Sequence, residues 1–306
     1  MKRACFYVLL LTLALLAGCG THTAPAEEPA GQAEGSAAAA QTETPSPEEE
    51  EIVRGEELIT VSSAEELLEA IRPGVEIVIE PGCYNLSAFV EEAAADGRVF
   101  WQAGEEYVQL RECFDGTEIV IRNVDSLIIR GGGEQPGDTE LTVDPRYATV
   151  FNFEGCTGLT LEGLTMGHTE QGACEGSVLR FSDCRDIELE QMDLYGCGVY
   201  GIEALEGTGD LYVRESVIRD CDYGPFSFED TTGLLEFADC RLYGSNGAGY
   251  FAGGEGCTLR FTRCSFGEKE SNVWYFREDI ETQDCTWSEI TEYPDYSYME
   301  ELDAES

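Results

Sequence analysis

Large apolar residues recur along this chain every 24 positions, and the residues between them alternate between apolar and polar. Ile187, Leu211, Leu235 and Leu259 form one such column. Leu189, Val213, Phe237 and Phe261 form a second, and Leu194, Ile218, Leu242 and Phe266 a third. Val178, Ile202, Phe226, Tyr250 and Trp274 make a fourth. Runs such as Ile187-Glu188-Leu189-Glu190 and Leu211-Tyr212-Val213-Arg214 change character at every step. A period of two marks a strand with one buried face, and no unit shows the 3.6-residue spacing of a helix. Short strands repeated at fixed length predict a solenoid. Each unit is one turn, and equivalent residues stack on the next rung about 4.8 Å away. No unit can bury its apolar face alone; stacking does so, at about 1.5–3 kcal/mol per large side chain.

The phase continues upstream through longer units. Leu159 and Leu161 precede Ile187 and Leu189 by 28, and Leu127 and Ile129 precede those by 32. The extra residues fall in 168–177 and 131–138, which are therefore expected as loops projecting from one face. Outward positions agree with the stacking: Glu190 meets Arg214, Glu236 meets Arg260 and Asp239 meets Arg263. Opposite charges on adjacent strands contribute roughly 0.2–1 kcal/mol each. The fixed Leu-x-x-Leu-x-Leu ending in Asn that defines leucine-rich repeats is absent. The expected fold class is all-β, a parallel β-helix of about seven rungs over residues 58–290. Ser62-Ser63-Ala64-Glu65-Glu66 has the capping-box pattern, and Leu67, Leu68 and Ile71 share a face. A short helix is predicted there, ahead of a first strand at Ile77-Val78-Ile79, covering the open end of the core. At the other end Trp274–Phe276 and Trp287 are read as the last rung. Tyr293, Tyr296 and Tyr298 lie in an acidic tail, 291–306, read as a cover.

Pro81-Gly82-Cys83-Tyr84-Asn85-Leu86, Gly167-His168-Thr169, Leu194-Tyr195-Gly196-Cys197-Gly198 and Ile218-Arg219-Asp220-Cys221 resemble the right-handed parallel β-helix repeat proteins of the pectin-lyase-like superfamily. The resemblance runs over about residues 58–288 and implies a right-handed solenoid. It does not name a reaction, because that superfamily includes lyases, hydrolases, epimerases and proteins without known chemistry. The acidic trios and Arg/Lys constellations of its characterised enzymes are not recognisable here, so no catalytic assignment carries over.

The N-terminus has the form of an export signal. Lys2 and Arg3 precede an apolar run from Ala4 to Ala17, and Leu16-Ala17-Gly18-Cys19 resembles the bacterial lipoprotein signal, in which Cys19 is lipidated. The apolar run is short for a membrane span of about 20 residues. Residues 1–19 are read as signal and 20–57, rich in Ala, Glu, Pro, Gly, Ser and Thr, as an unstructured tether. The protein is thus expected to be exported and held by lipid on the outer face of a bacterial envelope. Formal net charge is −43, and losing Lys2 and Arg3 with the signal deepens it. Nucleic acid and anionic bilayers are poor partners for such a field. Bare polyanions would be repelled unless calcium bridged them. Cys5 falls within the signal and Cys19 is the anchor, so eleven of the 13 cysteines remain, an odd number. They read as small buried thiols at turns, with Cys197–Cys221 the pair best placed for a disulfide. No zinc-ligand spacing is present.

Chemistry is expected on one outer band. Tyr195, Arg219 and Tyr243 fall in one column, and His168, Gly196, Asp220 and Gly244 in the next. Gly198, Asp222 and Asn246 follow two positions on, with Glu170 in the adjoining loop. Three uses are open. Tyr195 and Tyr243 can stack on sugar rings while Glu170 and Asn246 bond hydroxyls. Asp220 and Asp222 can hold a calcium that bridges to a substrate carboxylate, with Arg219 or His168 removing the α-proton. Asp220 with Asp222 or Glu170 can act as the acid and base of a glycosidase. Against all three stands a structural role, in which the Tyr and Arg side chains pack as a ladder and Gly, Asp and Asn serve the turn. The function expected is a non-catalytic glycan-binding or envelope scaffold module that needs no cofactor. A polysaccharide lyase, epimerase or glycoside hydrolase is the alternative.

Overall fold

The computed structural model describes residues 57–95, 107–169, 176–196, 199–245, 247, 249–268 and 280–289. All lie within the unit Ile52–Ser306. They form a parallel β-solenoid with three sheets of nine, eight and seven strands, here sheets 1, 2 and 3. Each turn visits sheet 3, then sheet 1, then sheet 2. Leu179–Ser182, Arg185–Glu190 and Asp193–Tyr195 make one such turn, and Tyr200–Leu205, Gly209–Arg214 and Val217–Arg219 the next.

Three of the four apolar columns stack as expected. Ile187 pairs with Leu211, Leu211 with Leu235 and Leu235 with Leu259 in sheet 1, with Leu189, Val213, Phe237 and Phe261 two residues on. Leu194, Ile218, Leu242 and Phe266 do so in sheet 2. The upstream phase is also present, Leu127 on Leu159 and Leu159 on Ile187. The aromatic members of the second column stack face to face, Phe237 on Phe261 at 4.9 Å. Outside, Arg260 approaches Glu236 at 3.6 Å and Arg263 bonds Asp239.

The fourth column is corrected. Ile202 does pair with Phe226, but its other partner is Leu179 rather than Val178, and Tyr250 pairs with Ser227. Both corners flanking sheet 3 change length by one residue between turns: Ile218 to Phe228 is ten and Leu242 to Phe251 nine, while Phe228 to Leu235 is seven and Phe251 to Leu259 eight. A one-residue change inverts the facing of every side chain behind it. Phe251 consequently takes the core position and Tyr250 turns outward, 48% exposed. Trp274 lies outside the described residues.

The other two corners share one device. From sheet 3 to sheet 1, Cys156 Sγ donates to Ile121 O, Cys184 Sγ to Phe153 O and Thr208 Oγ1 to Phe181 O. From sheet 1 to sheet 2, Cys240 Sγ donates to Val213 O, Cys264 Sγ to Phe237 O and Cys285 Sγ to Phe261 O. Ser216 occupies the equivalent place one rung earlier and bonds Arg214 O. Each is a small side chain that gives one hydrogen to a strand-end carbonyl. Among the described residues Cys83, Cys113, Cys156, Cys184, Cys240, Cys257, Cys264 and Cys285 are free thiols.

The N-terminal end is more elaborate than expected. Helix α1, Ala64–Ala70, starts at Ser63, whose hydroxyl accepts the Glu66 N–H at 3.1 Å. Glu66 reaches back to Ser62 N at 2.8 Å. Leu67, Leu68 and Ile71 are buried, as their spacing required. The first strand, however, is Glu57–Val61, which precedes the helix and pairs with Val75–Ile79 at the sheet edge. Its Leu58-Ile59-Thr60-Val61 run opens the expected 58–290 domain, but the first strand was expected only at Ile77-Val78-Ile79. A second helix, α2 (Leu86–Ala95), follows Gly82–Asn85; Asn85 Oδ1 caps it by accepting the Ala88 N–H at 3.0 Å. An antiparallel hairpin, Val108–Cys113 with Gly116–Arg122, forms the edge of sheet 3. No described helix is long and apolar enough to cross a membrane. The signal, Cys19, the tether through residue 56, Trp274–Phe276 and the 291–306 tail lie outside the described residues.

Candidate functional site

The expected band occupies the outer face of sheet 2, and its column is in register, Tyr195 beside Arg219 beside Tyr243. Its side chains are committed to one another. The Tyr195 ring lies against Gly167, where a Cβ would touch it at 2.7 Å. Its hydroxyl donates to Glu140 Oε1 at 2.6 Å. The Arg219 guanidinium sits 4.7 Å above the Tyr195 ring centroid. It donates to both oxygens of Asp193, at 2.8 and 2.9 Å, and to Asp220 Oδ2 at 3.4 Å. Arg241 lies 5.6 Å over Tyr243, whose phenol is pushed up chiefly by burial. The arrangement is a stacked ladder clipped by a bidentate ion pair, a geometry that fixes a guanidinium in place.

The neighbouring column is a backbone feature. Gly196, Asp220 and Gly244 hold φ of +109°, +56° and +75° on successive rungs, so the turn itself requires a left-handed residue there. Asp and Gly are the residues that adopt this conformation with least cost. Gly244 also leaves the room that the Asp220 carboxylate fills.

His168 is corrected. It is not on the band but inside, 4% exposed. His168 was expected to open the 168–177 loop, whereas the strand runs Thr165–His168. His168 shares the inward parity of Met166 and pairs with the core residue Val143. Nε2 donates to Ala148 O at 2.8 Å, and Nδ1 has no partner. Burial lowers its pKa below the usual histidine value, so the ring is neutral at pH 7. Glu170, Asn246 and Cys197 lie outside the described residues; Cys221 is buried. Among the described residues no group of three or more His, Cys, Asp and Glu is placed to hold a metal.

The exposed aromatic surface lies elsewhere, on sheet 3 and the corner leading into it. Tyr223 is 59% and Tyr250 48% exposed. Tyr200 meets Tyr223 edge-to-face with centroids 6.2 Å apart. Sequence reading missed this surface because Tyr250 had been assigned to the core. The Tyr-Gly step at Tyr223-Gly224, just before a strand, was the available signal.

No protein-family model and no curated protein matches this sequence. Solved structures that resemble it are pectate lyases and related β-helix proteins. A pectate lyase from Paenibacillus sp. 0602 superposes with a TM-score of 0.46 at 8% identity, over 77% of this chain and 78% of its own. The pectate lyase Bsp165PelA from Bacillus sp. N165, in complex with trigalacturonate, gives 0.42 at 9% identity over 81% and 89%. Rice weevil pectin methyl esterase gives 0.42 at 12% over 79% and 91%. These likenesses assign no role to any residue here.

Proposed function

We propose that this chain is a non-catalytic glycan-binding or scaffold module, held on the outer face of a bacterial envelope by a lipid on Cys19 and the 20–56 tether. The observation that supports a non-catalytic role is the commitment of the candidate groups. Arg219 is clamped by Asp193 and Asp220, Asp220 serves the turn, and His168 is neutral and enclosed. General acid–base catalysis needs a proton-transferring group within hydrogen-bond reach of the substrate. The rigid stacking that removes these groups from chemistry leaves a firm surface with outward phenol rings, and such rings offer large apolar area with a polar tip.

The test is incubation of the full-length protein with neutral, acidic and basic polysaccharides, with and without EDTA. Retention on at least one polymer is expected, unaffected by EDTA. Neither new reducing ends nor the absorbance of unsaturated uronides should appear. Turnover that disappears in Asp220→Ala or Asp222→Ala would establish the lyase or hydrolase reading instead. Incorporation of labelled fatty acid, lost in Cys19→Ala, tests the anchor.

A further inference from the structure

The outer face of sheet 3 carries one polar or aromatic residue on each of five successive rungs, in strict register. The column runs Asn152, Arg180, Glu203, Ser227, Tyr250. Tyr200 stands opposite Gly224, which has no side chain to crowd the ring, and its hydroxyl is hydrogen-bonded to Ser227. Tyr223 adds its exposed ring at the corner. Tyr250 lies two rungs from Tyr200 and three residues further along the strand, about 14 Å away at the backbone.

Beyond the rings the column becomes ionic. Arg180 donates to Glu203 at 2.6 Å and approaches Glu118 at 3.7 Å. Arg111 bridges Glu118, at 3.6 Å, and Glu154. Glu118, nearly buried, also accepts from Thr149 N and Asn152 Nδ2, each at 3.1 Å. Asn152 Oδ1, buried at the end of the column, has no hydrogen-bond partner.

We propose that a neutral polysaccharide chain docks along this face, its sugar rings on Tyr223 and Tyr250 and its hydroxyls on Glu203 and Arg180. The proposal rests on the glycan-binding reading and assigns it a place and a ligand class. Three carboxylates, Glu118, Glu154 and Glu203, share two guanidiniums, and both guanidiniums already have carboxylate partners. Arg122, at the far end of the face, bonds Gln109 instead of a carboxylate, so the case against a carboxylated sugar rests on these three carboxylates and on the field of a chain with net charge −43. A cationic sugar would have to lie beside Arg111 and Arg180. Hydroxyls suit the face from both sides, because carboxylate lone pairs accept from them and guanidinium N–H groups donate to them.

The test uses the full-length protein and isothermal titration with four probes: a soluble β-glucan, a galactomannan, polygalacturonate and chitosan oligomers. At least one neutral polymer should bind, and Tyr223→Ala and Tyr250→Ala should each weaken it about tenfold, the effect of losing one aromatic contact. Both residues are exposed, so unchanged melting temperatures are expected and separate lost binding from lost folding. Tyr243→Ala, on sheet 2, should leave affinity unchanged. Glycan binding that resists both sheet 3 changes, or that fails with Tyr243→Ala, overturns the placement while the glycan-binding reading survives. Binding confined to polygalacturonate or to chitosan overturns the ligand class. Absence of binding to all four probes overturns both the inference and the reading beneath it.

Discussion

Replacing Arg219 by Met separates a structural ladder from a reactive site. The change keeps the aliphatic stem and removes only the guanidinium. The Arg219 and Asp193 side chains are 17% and 25% exposed. Their pair therefore falls between a fully exposed bridge, worth about 0–1 kcal/mol, and a buried one, whose one-sided loss costs about 3–5 kcal/mol. The two bonds at 2.8 and 2.9 Å are accordingly assigned about 1–2 kcal/mol. The guanidinium over the Tyr195 ring adds about 0.5–1 kcal/mol. The expected loss is roughly 1.5–3 kcal/mol, read from urea denaturation midpoints at pH 7. Asp193→Asn should be less costly in the Arg219→Met background than alone, because the partner is already gone; the cycle should show coupling of about 1 kcal/mol or more. A loss below about 0.5 kcal/mol with no coupling would show that the ladder bears no structural load. Loss of turnover at unchanged stability would place Arg219 in a reacting site.

Three further outcomes follow from the described contacts. At Asp220, with φ of +56°, Gly should be tolerated while Ala falls about 1 kcal/mol below Gly in urea midpoint; glycan binding lost in both variants would contradict a turn role. His168, with its pKa lowered by burial, holds its stabilising contribution above the unfolded value of about 6.5 and loses it as pH falls through the depressed value. Stability of the native chain relative to His168→Gln should thus decline as pH falls below about 6.5, and a flat difference would contradict the enclosed, neutral ring. Cys240→Ser should cost under about 1 kcal/mol, since Ser216 fills the same corner on the neighbouring rung, whereas Cys240→Leu overfills it at about 1–3 kcal/mol; equal melting of the two under reducing conditions would contradict the corner device.

Much of this fold is readable in the residues because the units that build sheets 1 and 2 keep a constant length. Ile187 through Leu259 and Leu194 through Phe266 announce themselves for that reason, and the longer upstream units still place Leu159 beneath Ile187. Sheet 3 was not readable by the same rule. Leu179 and Ile202 are 23 apart, Ile202 and Phe226 are 24, and Ser227 and Tyr250 are 23. A fixed ruler therefore misfiles Tyr250, and with it the exposed aromatic face. The band on sheet 2 was half legible. Tyr195, Arg219 and Tyr243 share a column, but Asp193 binds Arg219 along the diagonal of the sheet, a relation that column-by-column alignment does not display. His168 was misplaced because column alignment set it beside Gly196 and Asp220 at the start of the 168–177 loop, whereas it is the last residue of its strand. The pleat, not the local composition, decided its direction.

The variable corner before sheet 3 gives this architecture something like a reading frame. Sheets 1 and 2 stay in phase because the bend after sheet 3 takes up what the corner before it gives away: Ile218 to Phe228 is ten residues and Phe228 to Leu235 seven, whereas Leu242 to Phe251 is nine and Phe251 to Leu259 eight. Passing one residue from one bend to the other exchanges what is hidden for what is displayed on that rung of sheet 3. Surface chemistry on this side can therefore be re-edited by sliding a strand between its two bends, with the rest of the stack left as it was.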